Sequence, residues 1–426
     1  MNFETISVIG LGYIGLPTAA VFASRKKKVI GVDVNQRAVD TINRGDVHIV
    51  EPDLDMVVHA AVKEGYLKAV TQPEPADAFL MAVPTPFIHD TDGGRHTADL
   101  SYIEAASRSL APVLRKGNLV VLESTSPVGT TEQMAAWLAE ERPDLSFPQT
   151  HGEAADIRIA HCPERVLPGH VLRELVQNDR VVGGMTAKCS EAACAVYSVF
   201  LEGDCVVTNA RTAEMAKLTE NSFRDVNIAF ANELSTICHQ LDINVWELIA
   251  LANRHPRVSI LQPGAGVGGH CIAVDPWFIV DSCPEQARLI RTAREVNDAK
   301  PGWVLQRVQE QLERYHQMHT EAARSAITIA CLGIAFKPDI DDLRESPALG
   351  IAQDLAKLGC QVQIVEPNIK EIPECLNMGN VQLATLDGAL QAADVVCVLV
   401  KHKPFLKNAA AIRSKAHLVD AVGLAG

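Results

Sequence analysis

Gly264-Ala265-Gly266-Val267-Gly268-Gly269-His270-Cys271 sets one thiol directly after a glycine-dense loop that would let a ligand approach the main chain. Of the eleven cysteines, Cys271 is therefore the candidate nucleophile; as a thiolate it can add to a carbonyl and hold the product covalently. Two further groups suit that chemistry. Lys217 and Asn221 stand four residues apart in a helical pattern and share one face. An ammonium and an amide so placed can hold an oxyanion or position water, whereas on an exposed face they would be an ordinary polar pair. Glu164, within His161-Cys162-Pro163-Glu164-Arg165-Val166-Leu167-Pro168-Gly169, and Asp275, four residues beyond Cys271, are the carboxylates best placed to manage protons or water.

A second constellation points to a cofactor. Gly10-Leu11-Gly12-Tyr13-Ile14-Gly15 follows a β pattern, Ile6 to Ile9, and opens a helical one, Leu16 to Ala23, while the acidic Asp33 ends the next strand. Gly10, Gly12 and Gly15 then allow the tight turn, the approach of backbone to a pyrophosphate and the helix–strand contact, and the helix N-terminus offers N–H groups to the anion. Asp33 can accept hydrogen bonds from a ribose and would repel a 2′-phosphate, so NAD is expected rather than NADP. Thr85, in Val83-Pro84-Thr85-Pro86, and Thr125, in Glu123-Ser124-Thr125-Ser126-Pro127-Val128-Gly129, follow later strands. Ligands of open parallel sheets bind beyond the carboxyl ends of strands, so both hydroxyls are candidate cofactor contacts, or else caps of the following helices. A thiol beside a nicotinamide can take an aldehyde as a thiohemiacetal, which offers a second hydride and leaves a thioester for water to cleave.

The elements that must position these groups alternate. At about 150 residues per domain, 426 residues make two or three domains, and 47% hydrophobic with 21% charged content is that of a soluble globular chain. Short β runs at Ile6–Ile9, Val29–Val32, Phe79–Val83 and Leu119–Leu122 have helical patterns between them, the rhythm of a doubly wound parallel sheet. Beyond residue 208 long helices take over, Thr212–His239 and Glu285–Leu312, and after His316–Ser325 the alternation returns. The expected fold is α/β: two Rossmann-like doubly wound parallel-sheet domains joined by a helical middle domain, at 1–208, 209–315 and 316–426. An apolar face on the middle helix, with Phe223, Ile228, Phe230 and Leu234, would suit a homodimer interface.

Several classes drop out. Thirty-nine basic against 52 acidic residues leave a net charge of −13, which argues against a nucleic-acid partner, and Arg25-Lys26-Lys27-Lys28 reads as a solvated turn. Eleven cysteines without CxxC pairs point to reduced thiols and a cytoplasmic location. The β pattern begins too early for an export signal, and Val395–Val400 is too short for a membrane span. His161-Cys162 and His270-Cys271 lack the spacing of a zinc site, so no metal is expected. A non-catalytic NAD-sensing module is the other rival, disfavoured by the intact set of Cys271, Lys217, Glu164 and Asp275.

Together the glycine fingerprint, Pro163-Glu164-Arg165, Thr212-Ala213-Glu214 leading to Lys217 and Asn221, Gly268-Gly269-His270-Cys271 and Gly333 to Pro347 resemble the UDP-glucose/GDP-mannose dehydrogenase family across essentially the whole chain. The resemblance implies a four-electron oxidation of a sugar C6 alcohol to a carboxylate with two NAD and one water. It implies Cys271 as nucleophile, Lys217 with Asn221 for the oxyanion and water, Glu164 for thioester hydrolysis and Asp275 for proton transfer. It also implies that the last domain binds the UDP-sugar. In Phe336-Lys337-Pro338-Asp339-Ile340-Asp341-Asp342-Leu343-Arg344-Glu345-Ser346-Pro347, Lys337 would meet the sugar nucleotide and Arg344 the cofactor pyrophosphate; the alternative is surface pairing with Asp341 and Asp342. Arg165 and Gly268 fall among the substrate-binding motifs, and Arg254, His255 and Arg257 fall where the family places an arginine that often reaches a neighbouring subunit's site. UDP-glucose dehydrogenases usually carry a small residue and a lysine where this chain has His270 and Val274, which disfavours UDP-glucose. The motifs look most like those of members acting on UDP-N-acetyl-D-mannosamine, with UDP-N-acetylglucosamine as the nearest alternative.

Overall fold

The computed structural model describes residues 3–88, 96–167, 169–269, 271–320 and 323–424. The chain divides into two compact units, Met1–Glu220 and Asn221–Gly426. Eight strands build the first: β1 (Thr5–Ile9), β2 (Lys28–Val32), β3 (Leu67–Val70), β4 (Ala78–Met81), β5 (Leu119–Leu122), β6 (Arg158–His161), β7 (Arg180–Gly184) and β8 (Cys205–Asn209). Their order in the sheet is β3-β2-β1-β4-β5-β6-β7-β8.

β4 and β5 are buried at every position, as strands covered on both faces must be. Their side chains alternate between two cores. Leu80 and Val121 join Val8, Leu16 and Phe22 on one face; Phe79, Met81, Val120 and Leu122 join Ile9, Ile103 and Met134 on the other. Helix Gly15–Ser24 thus lies on one side and helices Ser101–Leu110 and Thr130–Glu141 on the opposite side. The sheet is not parallel throughout: β7 runs antiparallel to β6, and β8 pairs parallel with β7. Helix Val171–Gln177 lies in the connection from β6 to β7, and the chain returns along its neighbour in the opposite direction.

The second unit starts inside the 31-residue helix Ala210–Gln240, continues through helices Val245–Ala252, Asp275–Ser282 and Arg288–Met318, and ends in an all-parallel sheet. That sheet comprises β9 (Thr328–Leu332), β10 (Gln361–Val365), β11 (Val381–Leu383), β12 (Val395–Val398) and β13 (Leu418–Asp420), in the order β11-β10-β9-β12-β13. Val304 and Val308 of helix Arg288–Met318 enter the same core as Ile329, Cys331, Ile351 and Leu355, which fuses the helical segment to this sheet.

On helix Ala210–Gln240 the exposed apolar side chains differ in part from those expected. Phe223 and Phe230 are 69% and 53% exposed, and the stripe continues through Ile237 and Leu241. Ile228 and Leu234 are instead half-buried, and Leu234 packs against Cys238, Val245 and Ile249. Among the described residues no helix is long and apolar enough to cross a membrane.

Candidate cofactor and nucleophile sites

The three loop glycines of the first unit divide their work. Gly10 holds φ +90°, and a Cβ there would lie 2.4 Å from the Ala82 carbonyl oxygen; at Gly15 it would lie 1.7 Å from the Gly10 oxygen. These two are demanded by the turn and by helix–strand packing. Gly12 is different: it is exposed, and a Cβ there would meet nothing within 4 Å. The open face beside it leads to the start of helix Gly15–Ser24, whose N-cap residue Ile14 makes no side-chain cap. An uncapped helix N-terminus next to an open glycine fits the pyrophosphate of a dinucleotide. Tyr13, 41% exposed, flanks it. Asp33 sits one residue past β2; one oxygen accepts from the Leu11 N–H at 2.9 Å and the other from the Asn35 N–H at 2.9 Å. Its carboxylate stays partly accessible, so it braces the glycine turn and can still meet a ribose hydroxyl.

Thr85 and Thr125 come together without capping a helix: the Thr85 hydroxyl donates to the Thr125 carbonyl at 2.6 Å. The helix that follows Thr125 is capped from afar by Glu214. One Glu214 oxygen accepts from the Gly129 N–H at 2.6 Å, the other from the Thr131 N–H at 2.7 Å and hydroxyl at 2.6 Å. That N-terminus is therefore already satisfied. Burial raises the Glu214 carboxyl despite these donors.

Glu164 heads a buried cluster that the sequence spacing does not reveal. Its Oε2 accepts from Arg180 Nη2 at 2.9 Å, and its Oε1 from the Arg165 N–H at 2.7 Å. Arg180 stacks on the Tyr197 ring at 4.4 Å and lies 3.9 Å from Glu123, whose Oε1 accepts from the Tyr197 hydroxyl at 2.7 Å. Burial pushes the Glu123 carboxyl up to about 7, with Arg180 opposing. Arg165 pairs with Glu220 at 2.7 Å. Burial also pushes the Cys162 thiol up to about 12, an environment hostile to a thiolate metal ligand, and lowers His161 to about 3. Among the described residues no group of three His, Cys, Asp or Glu side chains is gathered as a metal site.

Lys217, half-buried, and Asn221 lie one turn apart on helix Ala210–Gln240. In the second unit the Asn221 amide donates to Asp275 Oδ2, both side chains being buried. Asp275 opens helix Asp275–Ser282, and its N–H donates to the Cys271 carbonyl at 2.8 Å. Cys271 is exposed, and none of the eleven cysteines is in a disulfide. His270 lies outside the described residues. The glycines before it serve packing as much as access: a Cβ on Gly268 would lie 2.3 Å from the Glu345 oxygen and 2.7 Å from Pro347. The loop before Cys271 therefore rests on the segment that carries Lys337 and Arg344. Both of those side chains are exposed, and Arg344 grips Asp342 with Nη2 to Oδ2 at 2.6 Å and Nε to Oδ1 at 3.0 Å. Arg254, His255 and Arg257 are exposed on a loop pinned at its base by Asn253, whose amide bonds the Ile260 carbonyl at 2.9 Å and N–H at 2.7 Å.

Comparison with known proteins places the chain in a family. Residues 4–201 match the NAD binding domain of the UDP-glucose/GDP-mannose dehydrogenase family, 211–299 its central domain and 330–424 its UDP binding domain. A UDP-N-acetyl-D-mannosamine dehydrogenase of Yersinia pestis is 68% identical over 406 residues, 95% of each chain. An NDP-N-acetyl-D-galactosaminuronic acid dehydrogenase of Ralstonia nicotianae is 64% identical over 96% of this chain and 93% of its own. The solved structure of a UDP-D-ManNAc dehydrogenase from Pyrococcus horikoshii superposes with a TM-score of 0.85 at 37% identity, covering 99% of this chain and 96% of that one. The chain belongs to the UDP-glucose/GDP-mannose dehydrogenase family of NAD-dependent oxidoreductases.

Proposed function

We propose that this chain oxidises the C6 alcohol of UDP-N-acetyl-D-mannosamine to the carboxylate, giving UDP-N-acetyl-D-mannosaminuronate for surface polysaccharides such as enterobacterial common antigen. NAD, for which Gly12, Asp33, Thr85, Thr125 and Arg344 are the candidate contacts, supplies the hydride acceptor for both oxidations. The remaining chemistry belongs to side chains. Cys271 adds to the C6 aldehyde as a thiohemiacetal, loss of the second hydride would leave a thioester on its sulfur, and water cleaves that bond to free the thiol. Lys217 and Asn221 steady the oxyanion, Asp275 relays protons and Glu164 draws a proton from the attacking water. The observation that carries this reading is the Asn221 to Asp275 hydrogen bond, with Asp275 bonded through its N–H to the Cys271 carbonyl. One contiguous unit thus ties an oxyanion donor to the nucleophile's own turn.

The substrate choice rests on the relatives. Three segments, 1–208 for NAD, 209–315 for the nucleophile and dimerisation, and 316–426 for the UDP-sugar, complete the reading. A homodimer formed through the Phe223, Phe230, Ile237 and Leu241 stripe would place Arg254, His255 or Arg257 near a neighbouring substrate, with Lys337 on the sugar nucleotide. The protein acts in the cytoplasm, consistent with cysteines that lie outside any disulfide. Purified protein offered UDP-N-acetylmannosamine, UDP-N-acetylglucosamine, UDP-N-acetylgalactosamine and UDP-glucose with NAD should give the first the highest kcat/KM, by about tenfold or more. A preference for any of the others would overturn the assignment.

A further inference from the structure

We propose that Arg180 is the positioning residue for Glu164, fixing its carboxylate for the cleavage of the Cys271 thioester. The inference rests on the reading of Glu164 given above and adds what holds that group. Glu164 is 8% exposed and Arg180 4% exposed, so neither can exchange its partner for bulk water. Their contact, Nη2 to Oε2 at 2.9 Å, leaves the other carboxylate oxygen on the Arg165 N–H, and the plane of the carboxylate is set from two sides. Arg180 is itself fixed. Its guanidinium lies over the Tyr197 ring at 4.4 Å and the Phe200 ring at 5.5 Å, and Nη1 reaches Cys162 Sγ at 3.6 Å.

Behind it stands Glu123, 3.9 Å away, as the competing carboxylate. The Tyr197 hydroxyl binds Glu123, and burial favours its neutral form, so the guanidinium charge is left chiefly to Glu164. Arg180 opens β7, the strand reversed against β6, while Glu164 lies just beyond the end of β6. The reversal therefore brings an arginine to the end of the strand that delivers the carboxylate. A parallel β7 would place its first residue at the opposite end of the sheet.

In the step concerned, water oxygen bonds the thioester carbon and its proton passes to Glu164. The carbon–sulfur bond then breaks, and Cys271 leaves as a thiolate that recovers the proton; no oxidant is needed. Loss of Arg180 would leave a misoriented carboxylate, slowing this step and sparing the two that precede it.

The test compares Arg180→Met and Glu164→Gln under rapid mixing with UDP-N-acetylmannosamine and NAD. Both should release about two NADH per active site in a burst and then turn over about 100-fold more slowly, with kcat/KM for the sugar nucleotide unchanged, so that KM falls with kcat, and a covalent adduct seen by intact mass. Arg180→Lys, which keeps the charge without the fork, should show the same adduct with a smaller loss, and serves if the methionine variant fails to fold. Adduct in Glu164→Gln but steady turnover without adduct in both Arg180 variants would overturn the role of Arg180 alone. A folded Arg180 variant whose burst falls as much as its steady rate would reduce Arg180 to general support of the fold and likewise overturn it. Free turnover without adduct in Glu164→Gln would overturn the reading of Glu164 on which the inference rests.

Discussion

The two sheets begin with the same turn and put it to different uses. Gly10 follows β1 at φ +90° and donates to the Val32 carbonyl at 2.8 Å; Gly333 follows β9 at φ +89° and donates to the Val365 carbonyl at 2.9 Å. Each turn is braced by the acid ending the neighbouring strand, Asp33 in one and Glu366 in the other. There the likeness stops. Glu366 is buried and fully engaged, accepting from the Ile334 and Ala335 N–H groups at 2.8 and 3.1 Å and meeting His402 Nε2 at 3.0 Å, while Asn368 holds its other oxygen. In the first unit the helix starts at once, uncapped, beside the open Gly12; in the second it waits until Pro347 and is capped by the Ser346 hydroxyl, which accepts from Leu349 N–H at 3.3 Å. A glycine turn with an acid is thus a scaffold in both units. Only the first has an open glycine and an uncapped helix start beside the turn, the features a dinucleotide pyrophosphate would use.

The largest effects should separate scaffold from cradle. Gly15→Ala and Gly333→Ala each drive a Cβ into contact under 3.0 Å, against the Gly10 oxygen and Val400 respectively, and should leave little folded protein. Gly12→Ala should melt like the wild type yet bind NAD at least about tenfold more weakly, as read by calorimetry. Equal NAD affinity in Gly12→Ala would place the cofactor elsewhere.

The acids give a second contrast. Glu366→Gln puts an amide where donors converge and should cost about 2 kcal/mol in urea unfolding, with NAD affinity untouched. Asp33→Ser should cost about 1 kcal/mol, weaken NAD and relax the discrimination against NADP. An unchanged NAD/NADP ratio would remove the ribose contact from the account.

The smallest expected effect is a difference in pH response. Glu123, raised to about 7, holds a proton in the folded first unit that the unfolded chain releases near 4.5, so stability falls as pH rises through that window. Lys300 in the second unit is buried, stacked on Trp303 and lowered from 10.5 to about 7, so the unfolded chain holds the extra proton and stability rises between about 7 and 10.5. Relative to wild type, Glu123→Gln should gain on the order of 1 kcal/mol between pH 4.5 and 7, and Lys300→Met should lose a similar advantage between pH 7 and 10. Unfolding midpoints measured across both windows check the signs.

What could be read in the chain was local. The strand, glycine turn and helix at Gly10 to Ala23 are contiguous, and so are the turn and carboxylate at Cys271 to Asp275; spacing alone conveys them. Contacts between distant segments were invisible. Glu214 caps a helix 83 residues away at Thr131, and Asn221 meets Asp275 across 54 residues. Arg180 is equally illegible, because a charged first residue hides a strand, although it lies only 16 residues from Glu164. β8, with Val206 and Val207 exposed at 49% and 58%, lacks the buried face that makes a strand legible.

The central claim is that one sulfur, Cys271, retains the half-oxidised sugar through both oxidations. NADH formed per sugar nucleotide consumed tests it directly, with Cys271→Ala as the companion variant. The account predicts about two NADH per sugar in the wild type and no acid from the variant, with NAD affinity largely intact. A ratio of one with free aldehyde in solution, or acid formation by the variant, would contradict it.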